Sequence, residues 1–299
     1  MLEFLGEPLA YEFMQRAFVV AVAAGVVCAL LSCWLIHVGW SLMGDAISHA
    51  VLPGIVLAYL LGVPYVVGAL VFAFLAVVLI GSVRSTTVLK EDTVMGTVFT
   101  ALFAVGVVLL SLYPSQVDVH HVLFGNILGM TRSDAVQVVV IALVVAVLLV
   151  GARRTVTLWA FDPGFAAAVG VNVRVVRWVV LFMLALTTVA GVQAVGVVLV
   201  VALLITPGAT ALLWTRRFHH MLWIAPVVAV SSGVLGLYAS YWWDVSSGAA
   251  IVLLLSAHCA VAWVAGPRQF LRARISARRR NPVGTAGRAA VSAAVRSQQ

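Results

Sequence analysis

The sequence predicts an all-α integral membrane protein, a polytopic helix bundle with about eight or nine transmembrane helices. Three observations carry that prediction. Of the 299 residues, 64% are hydrophobic and only 9% charged, with a mean hydropathy of +1.14, far too apolar for a soluble globule. Apolar runs long enough to cross a bilayer recur along the chain. The basic residues gather in the segments between those runs and in the tail. A net charge of +8 would point to nucleic acid in a soluble protein. Here eight of the 18 basic residues lie in the tail (Arg268, Arg272, Arg274, Arg278, Arg279, Arg280, Arg288 and Arg296), so the expected partner is anionic lipid, not nucleic acid.

In chain order, residues 1–12 read as a short amphipathic segment at the interface. Candidate membrane helices follow at about 14–36, 47–61, 65–83, 93–112, 134–151, 175–193, 195–213, 221–241 and 247–265. The second is short for a full crossing, and Gly39, Gly44, Pro53 and Gly54 lie in or near it, the composition of a broken helix bordering a transport site. Eight full crossings plus a partial one is therefore an open alternative. A transmembrane domain over 1–268 and a basic tail over 269–299 are expected, the tail disordered because its small polar residues lack apolar periodicity.

With nine crossings, Arg84 and Lys90, Arg153 and Arg154, Arg174 and Arg177, Arg216 and Arg217, and the tail all fall on one side. Cytoplasmic loops carry the excess of Lys and Arg, so the C-terminus of this multi-pass membrane protein is expected in the cytoplasm. Cys28, Cys33 and Cys259 are too few and too apolar in context for a disulfide framework. No removable signal peptide is expected, since three acids precede the first basic residue, Arg16.

The stretch Gly44-Asp45-Ala46-Ile47-Ser48-His49-Ala50 places a carboxylate and an imidazole four residues apart, on one face of a helix, inside apolar sequence. Ionisable groups at membrane depth are costly and are functional-site hypotheses by default. Carboxylate oxygen and neutral imidazole nitrogen suit divalent transition metals, which makes Asp45 and His49 the candidate metal ligands. The competing reading makes Asp45 a helix cap and leaves His49 bonded to a neighbouring helix. Two ligands are also an incomplete site, so others must come from elsewhere in the chain, a partner or water.

The outer segment 113–132 carries Asp118, His120 and His121, where an arriving ion would first meet the protein; an ordinary solvated loop is the alternative. Asp244, in the turn Tyr241-Trp242-Trp243-Asp244, is a second outer candidate that reads equally as a turn residue. His37 and His258 read as hydrogen-bonded core. Thr206-Pro207-Gly208 interrupts the seventh run, kinking a helix that either lines a conduit or serves packing. Between the fifth and sixth runs, residues 161–171 start with Asp162 and Pro163 and end near Gly170, predicting a short helix on the side of the basic loops. The single lysine, Lys90, is not in a glycine-rich phosphate loop, and no zinc-protease or nucleophile-elbow motif occurs. If ATP drives transport, another polypeptide binds it, and no cofactor is expected in the chain.

The run Ser41-Leu42-Met43-Gly44-Asp45-Ala46-Ile47-Ser48-His49-Ala50-Val51-Leu52-Pro53-Gly54, the loop 122–128, the segment Ile205-Thr206-Pro207-Gly208-Ala209-Thr210-Ala211 and the Phe161-Asp162 helix resemble the permease subunit of bacterial metal-ion ABC importers, which take up manganese, zinc or iron. The resemblance covers about 14–268. It implies a homodimer of permeases, a cytoplasmic ABC ATPase dimer that binds ATP, and an extracytoplasmic metal-binding protein that delivers the ion. It further implies that Phe161, Asp162, Phe165, Ala166 and Gly170 form the coupling helix against the ATPase, and that Asp45 and His49 lie on the ion pathway. Transported Mn2+ or Zn2+ ranks ahead of iron, given the added nitrogen donors of His120 and His121. The rival functions are a proton-coupled secondary metal transporter and a membrane enzyme using the same pair for acid–base chemistry.

Overall fold

A computed structural model describes residues 7–113 and 127–266. After a 3-10 turn at Pro8–Ala10 the described residues form twelve helices: α1 (Glu12–Val38), α2 (Met43–Ala50), α3 (Leu52–Leu61), α4 (Tyr65–Thr86), α5 (Glu91–Leu112), α6 (Arg132–Gly151), α7 (Arg153–Phe161), α8 (Pro163–Ala168), α9 (Val173–Val195), α10 (Val197–Trp214), α11 (Phe218–Trp243) and α12 (Ser247–Ala265). Among the described residues nine stretches are long and apolar enough to cross a membrane, and they coincide with the nine apolar runs of the sequence. The second, Met43–Leu61, is two helices, α2 and α3, meeting at Val51. Pro53, in the first turn of α3, has no N–H to give the His49 carbonyl, which ends the helical ladder there. Val51 keeps right-handed helical dihedrals (φ −77°, ψ −17°), so the break is a joint and not a loop.

The bundle is built around α1. In its most apolar window 67% of residues are buried, against 17% for α5 at the edge. Small residues make the close packing possible: a Cβ on Gly25 would lie 3.6 Å from that of Ala229 on α11, an ordinary contact. The chain leaves α1 through Gly39, whose left-handed backbone (φ 82°) lets the Trp40 N–H turn back to the Leu35 carbonyl at 2.7 Å. Backbones approach most closely between α3 and α4, where a Cβ on Gly54 would strike the carbonyl oxygen of Gly68 and one on Gly68 would strike that of Gly54. Gly106 of α5 makes a second close approach to the same segment, its notional Cβ 2.9 Å from the Pro53 nitrogen.

The two ends of the bundle differ chemically. At one end Trp40, Arg84, Glu91, Trp159 and Arg177 meet; at the other, Glu12 lies 3.6 Å from Arg132, and Tyr241 packs its ring on Tyr11. Arg84, Arg153, Arg154, Arg174 and Arg177 thus sit on elements that terminate at the Trp40 end. Residues 1–6 and the tail 269–299, with the expectations attached to them, lie outside the described residues.

Candidate functional site

Helix α2 is only eight residues long, and it packs among α4, α5, α9 and α10. Met43, Gly44, Ala46, Ile47, Ser48 and Ala50 are buried, while the side chains of Asp45 and His49 keep 29% and 26% of their surface. The acid and the histidine therefore occupy the one open face of an otherwise enclosed helix, as their four-residue spacing requires. His49 Nδ1 is 3.2 Å from Asp45 Oδ1 and 3.0 Å from the Asp45 carbonyl oxygen. A carbonyl only accepts, so Nδ1 donates to it, and in the neutral ring Nε2 then carries the free lone pair. The ring rests against Phe99 and Phe103 of α5, with centroids 5.6 and 5.5 Å away. Aromatic walls beside a carboxylate–imidazole pair limit water without supplying competing donors.

The capping alternative for Asp45 is not what forms. The position before α2 is Leu42, and no side chain caps the helix; Asp45 lies in its first turn, where its charge still faces the positive end of the helix dipole. Among the described residues no third His, Cys, Asp or Glu joins the pair into a metal-holding group. One chain therefore contributes one oxygen and one nitrogen donor side chain at this position, short of the four ligands usual for a closed site.

The other sequence candidates are dispersed. Asp118, His120 and His121 lie outside the described residues, as do residues 122–126 of the loop 122–128. Asp244 is exposed and takes the left-handed position after α11 (φ 50°), the geometry of a turn residue. His37 Nδ1 donates to the Cys33 carbonyl at 2.8 Å, and His258 Nδ1 lies 2.8 Å from the Leu254 carbonyl and 3.1 Å from Ser232 Oγ. Both are the packed, hydrogen-bonded histidines expected.

Pro207 lies inside α10, and Pro207 and Gly208 are buried against α1. There Ser32 Oγ accepts the Gly208 N–H at 3.1 Å and donates to the Ile205 carbonyl at 3.2 Å. The backbone groups around Pro207 are thus met by a hydroxyl from α1, while Thr206 keeps part of its surface. Because Leu204 of α10 touches Gly44, the kinked helix also backs the site helix.

The short helix expected at 161–171 forms as α8, with a shift at its start. Phe161 ends α7 instead of opening α8, because Asp162 takes the cap position and accepts the Phe165 N–H at 2.9 Å. Gly170 (φ 87°) closes the helix, with the Val171 N–H returning to the Ala166 carbonyl at 2.9 Å. Phe161 and Phe165 are each 55% exposed, whereas Ala166 is fully buried. Ala166 is therefore packed against its own chain and anchors α8 there.

Sequence reading missed two sets of residues. Ser32 is one. The other joins Trp40, Glu91 and Arg84: the Trp40 indole N–H and an Arg84 guanidinium N–H both donate to Glu91 Oε1 at 2.6 Å, and Arg177 lies over the Trp40 ring, 5.5 Å from its centroid. The sequence signal was a tryptophan directly after Gly39 at the entrance to α2, and an acid beside the lone lysine.

A many-spanned helical bundle that holds a carboxylate and an imidazole on one open face, without a phosphate-binding loop in its sequence, has the makeup of a membrane permease. The chain belongs to the ABC 3 transport family, whose model matches residues 10–265. It is 46% identical to the manganese transport system membrane protein MntB of Synechocystis sp., over 93% of this chain and 91% of that one. It is also 46% identical to the chelated iron transport system membrane protein YfeD of Yersinia pestis, over 87% of this chain and 88% of the relative. The solved structure of PsaBC from Streptococcus pneumoniae in complex with Fab superposes with a TM-score of 0.81 at 33% identity, covering 90% of this chain and 97% of that chain. The protein is a multi-pass permease subunit of an ABC transporter and not itself an enzyme; the ATPase is a separate subunit.

Proposed function

We propose that this chain is the transmembrane subunit of an importer for divalent first-row metal ions, manganese ahead of iron or zinc, that moves the ion inward by alternating access. The observation that carries the reading is the Asp45–His49 pair, held on the open face of a buried helix with Nε2 free. A carboxylate and an imidazole with no thiolate beside them suit Mn2+ and Fe2+, and the relatives above are named for manganese and chelated iron. Two donors from one chain leave the ion incompletely held. A second copy presenting its own Asp45 and His49 across the same open face would raise the set to four, with water completing it, and a transport site must release as well as bind.

In this reading the coupling element is α8 with the end of α7 ahead of it, presenting Phe165 and Phe161 to a cytoplasmic ATPase dimer that binds ATP. The Trp40 end of the bundle and the C-terminus face the cytoplasm, as the arginine distribution favours. An extracytoplasmic binding protein delivers the ion to the opposite face, where Asp118, His120, His121 and Asp244 are candidate first contacts.

The test is uptake of 54Mn2+ into proteoliposomes holding the permease with its cognate ATPase. Asp45→Ala and His49→Ala each abolish uptake while the ATPase still co-purifies. Uptake left unchanged by either substitution, or uptake driven by a pH gradient without the ATPase, overturns the proposal.

A further inference from the structure

Away from the Asp45–His49 pair, α1, α11, the end of α6 and the start of α7 line a half-open cavity of about 850 Å³ on the outside of the bundle. Its walls are almost wholly apolar. Val26 and Leu30 come from α1, and Trp223, Val227 and Leu235 of α11 stand 69%, 65% and 53% exposed along its rim. Pro226 lies in the same wall, inside α11, where a missing backbone bond lets the helix depart from a straight cylinder. From His219 to Leu235 the wall runs sixteen residues, roughly 24 Å at the helical rise, which exceeds the roughly 15 Å half-thickness of a bilayer core and matches an extended acyl chain.

The cavity ends at charge. Arg153 and His219 line its mouth and continue into a second, shallower cavity that adds Arg154, Thr157 and Phe161. Neither cavity is lined by an acid, and no ion pair is formed by Arg153 or Arg154 among the described residues. Thr157 Oγ1, in the floor between the two, accepts the Trp34 indole N–H at 3.0 Å, so the floor is ordered.

A long apolar trough opening at one membrane boundary onto two adjacent arginines has the chemistry of a phospholipid with a net negative headgroup. We infer that this trough binds an anionic glycerophospholipid of the leaflet at the Arg153 end, acyl chain along α11 and phosphate on Arg153 and Arg154. The chain's own tail is a poor occupant, because its arginines would meet arginines. The shallower cavity reaches Phe161, two residues before α8, so an occupied trough would stiffen the element next to the ATPase contact.

The experiment uses the permease assembled with its ATPase, stripped of lipid and titrated with dioleoyl phosphatidylglycerol or dioleoyl phosphatidylcholine, with bound lipid counted by native mass spectrometry. Phosphatidylglycerol binds in preference, and Arg153→Gln with Arg154→Gln lowers its affinity by about fivefold for each arginine while leaving phosphatidylcholine unchanged. Val230→Trp, which fills the trough and leaves the arginines in place, lowers occupancy by both lipids. A photoreactive residue at position 223 cross-links to lipid. Equal binding of the two lipids, a preference that survives the double substitution, or cross-linking of position 223 to residues 267–299 or to the ATPase overturns the inference.

Discussion

Trp40 and Glu91 are joined by a 2.6 Å hydrogen bond from the indole N–H to Oε1, across 51 residues of sequence. Trp40 is 2% exposed, so its N–H has no solvent to fall back on. The bond ties the link between α1 and α2 to the start of α5, and Arg84 brings the end of α4 to the same oxygen. Glu91→Ala leaves a buried donor unpaired, at about 1–3 kcal/mol. Glu91→Gln keeps an acceptor for Trp40 and loses mainly the half-exposed Arg84 pair, whose worth is about 1 kcal/mol or less. Thermal unfolding in detergent therefore ranks wild type above Glu91→Gln and Glu91→Ala lowest. Equal melting temperatures for the two variants would contradict this assignment of the bond.

Ser32 and Gly208 make a second long-range prediction. The hydroxyl of Ser32 satisfies a donor and an acceptor freed around Pro207, so Ser32→Ala strands both at about 1–3 kcal/mol. Gly208→Ala drives a methyl group into Ser32 Oγ and to 2.8 Å from Ile36 Cδ1. Because the two substitutions share one contact, their costs do not add: Gly208→Ala in a Ser32→Gly background costs less than in wild type, by about 0.5–2 kcal/mol. A double-mutant cycle in chemical denaturant checks the sign, and simple additivity would mean that the hydroxyl and the glycine do not meet in the folded protein.

What local pattern encodes, the sequence made legible. Nine apolar runs became nine candidate spans, Pro53 broke the second of them, and the four-residue spacing of Asp45 and His49 became one open face. Long-range pairings have no such local trace. Nothing near Ser32 announces Pro207, and nothing near Trp40 announces Glu91, because each bond exists only once α1 has packed against α10 or α5 has come beside the α1–α2 link. The burial of Ala166 failed to show for a related reason: a run of small residues around Phe165 has no apolar periodicity from which to read an inner face. Phe161 closes α7 and does not open α8, because Asp162 and Pro163 supply the cap and first residue of the new helix, and an aromatic just ahead of a cap can belong to either side.

The exposure difference on α8 separates coupling from folding. Phe165 is 55% exposed and Ala166 is not exposed at all. Phe165→Ala removes an aromatic anchor from the proposed ATPase contact, where such residues cost about 2 kcal/mol or more when truncated, and leaves the melting temperature of the isolated permease nearly unchanged. Ala166→Leu does the reverse, overpacking the seat of α8 at about 1–3 kcal/mol. Asp162→Ala loses the cap on the Phe165 N–H, about 1 kcal/mol. Pull-down of the ATPase alongside thermal unfolding resolves the two effects; loss of ATPase binding without loss of stability in Ala166→Leu would reverse the assignment.

Gly54 and Gly68 set the distance between α3 and α4. With a Cβ on Gly54 the helix would meet the Gly68 carbonyl oxygen, the Gly68 carbonyl carbon at 2.7 Å and Phe72 Cδ2 at 2.9 Å. Two of those three atoms are backbone, so rotamer changes cannot relieve the clash and the helices must separate. Gly106 on α5 approaches the same segment at Leu52 and Pro53, which leaves α3 little room to retreat. Gly54→Ala and Gly68→Ala should each destabilise the protein by about 1–3 kcal/mol or more, and the double variant by less than the sum, since one separation serves both methyl groups. As α3 continues from α2 through the single joint at Val51, the displacement also reaches Asp45 and His49. Folded Gly54→Ala protein is therefore expected to bind Mn2+ more weakly than wild type, while a variant at Gly81, where a Cβ meets nothing within 4 Å, keeps wild-type affinity. Unchanged stability in both Gly54→Ala and Gly68→Ala would show that the α3–α4 backbone contact is not formed.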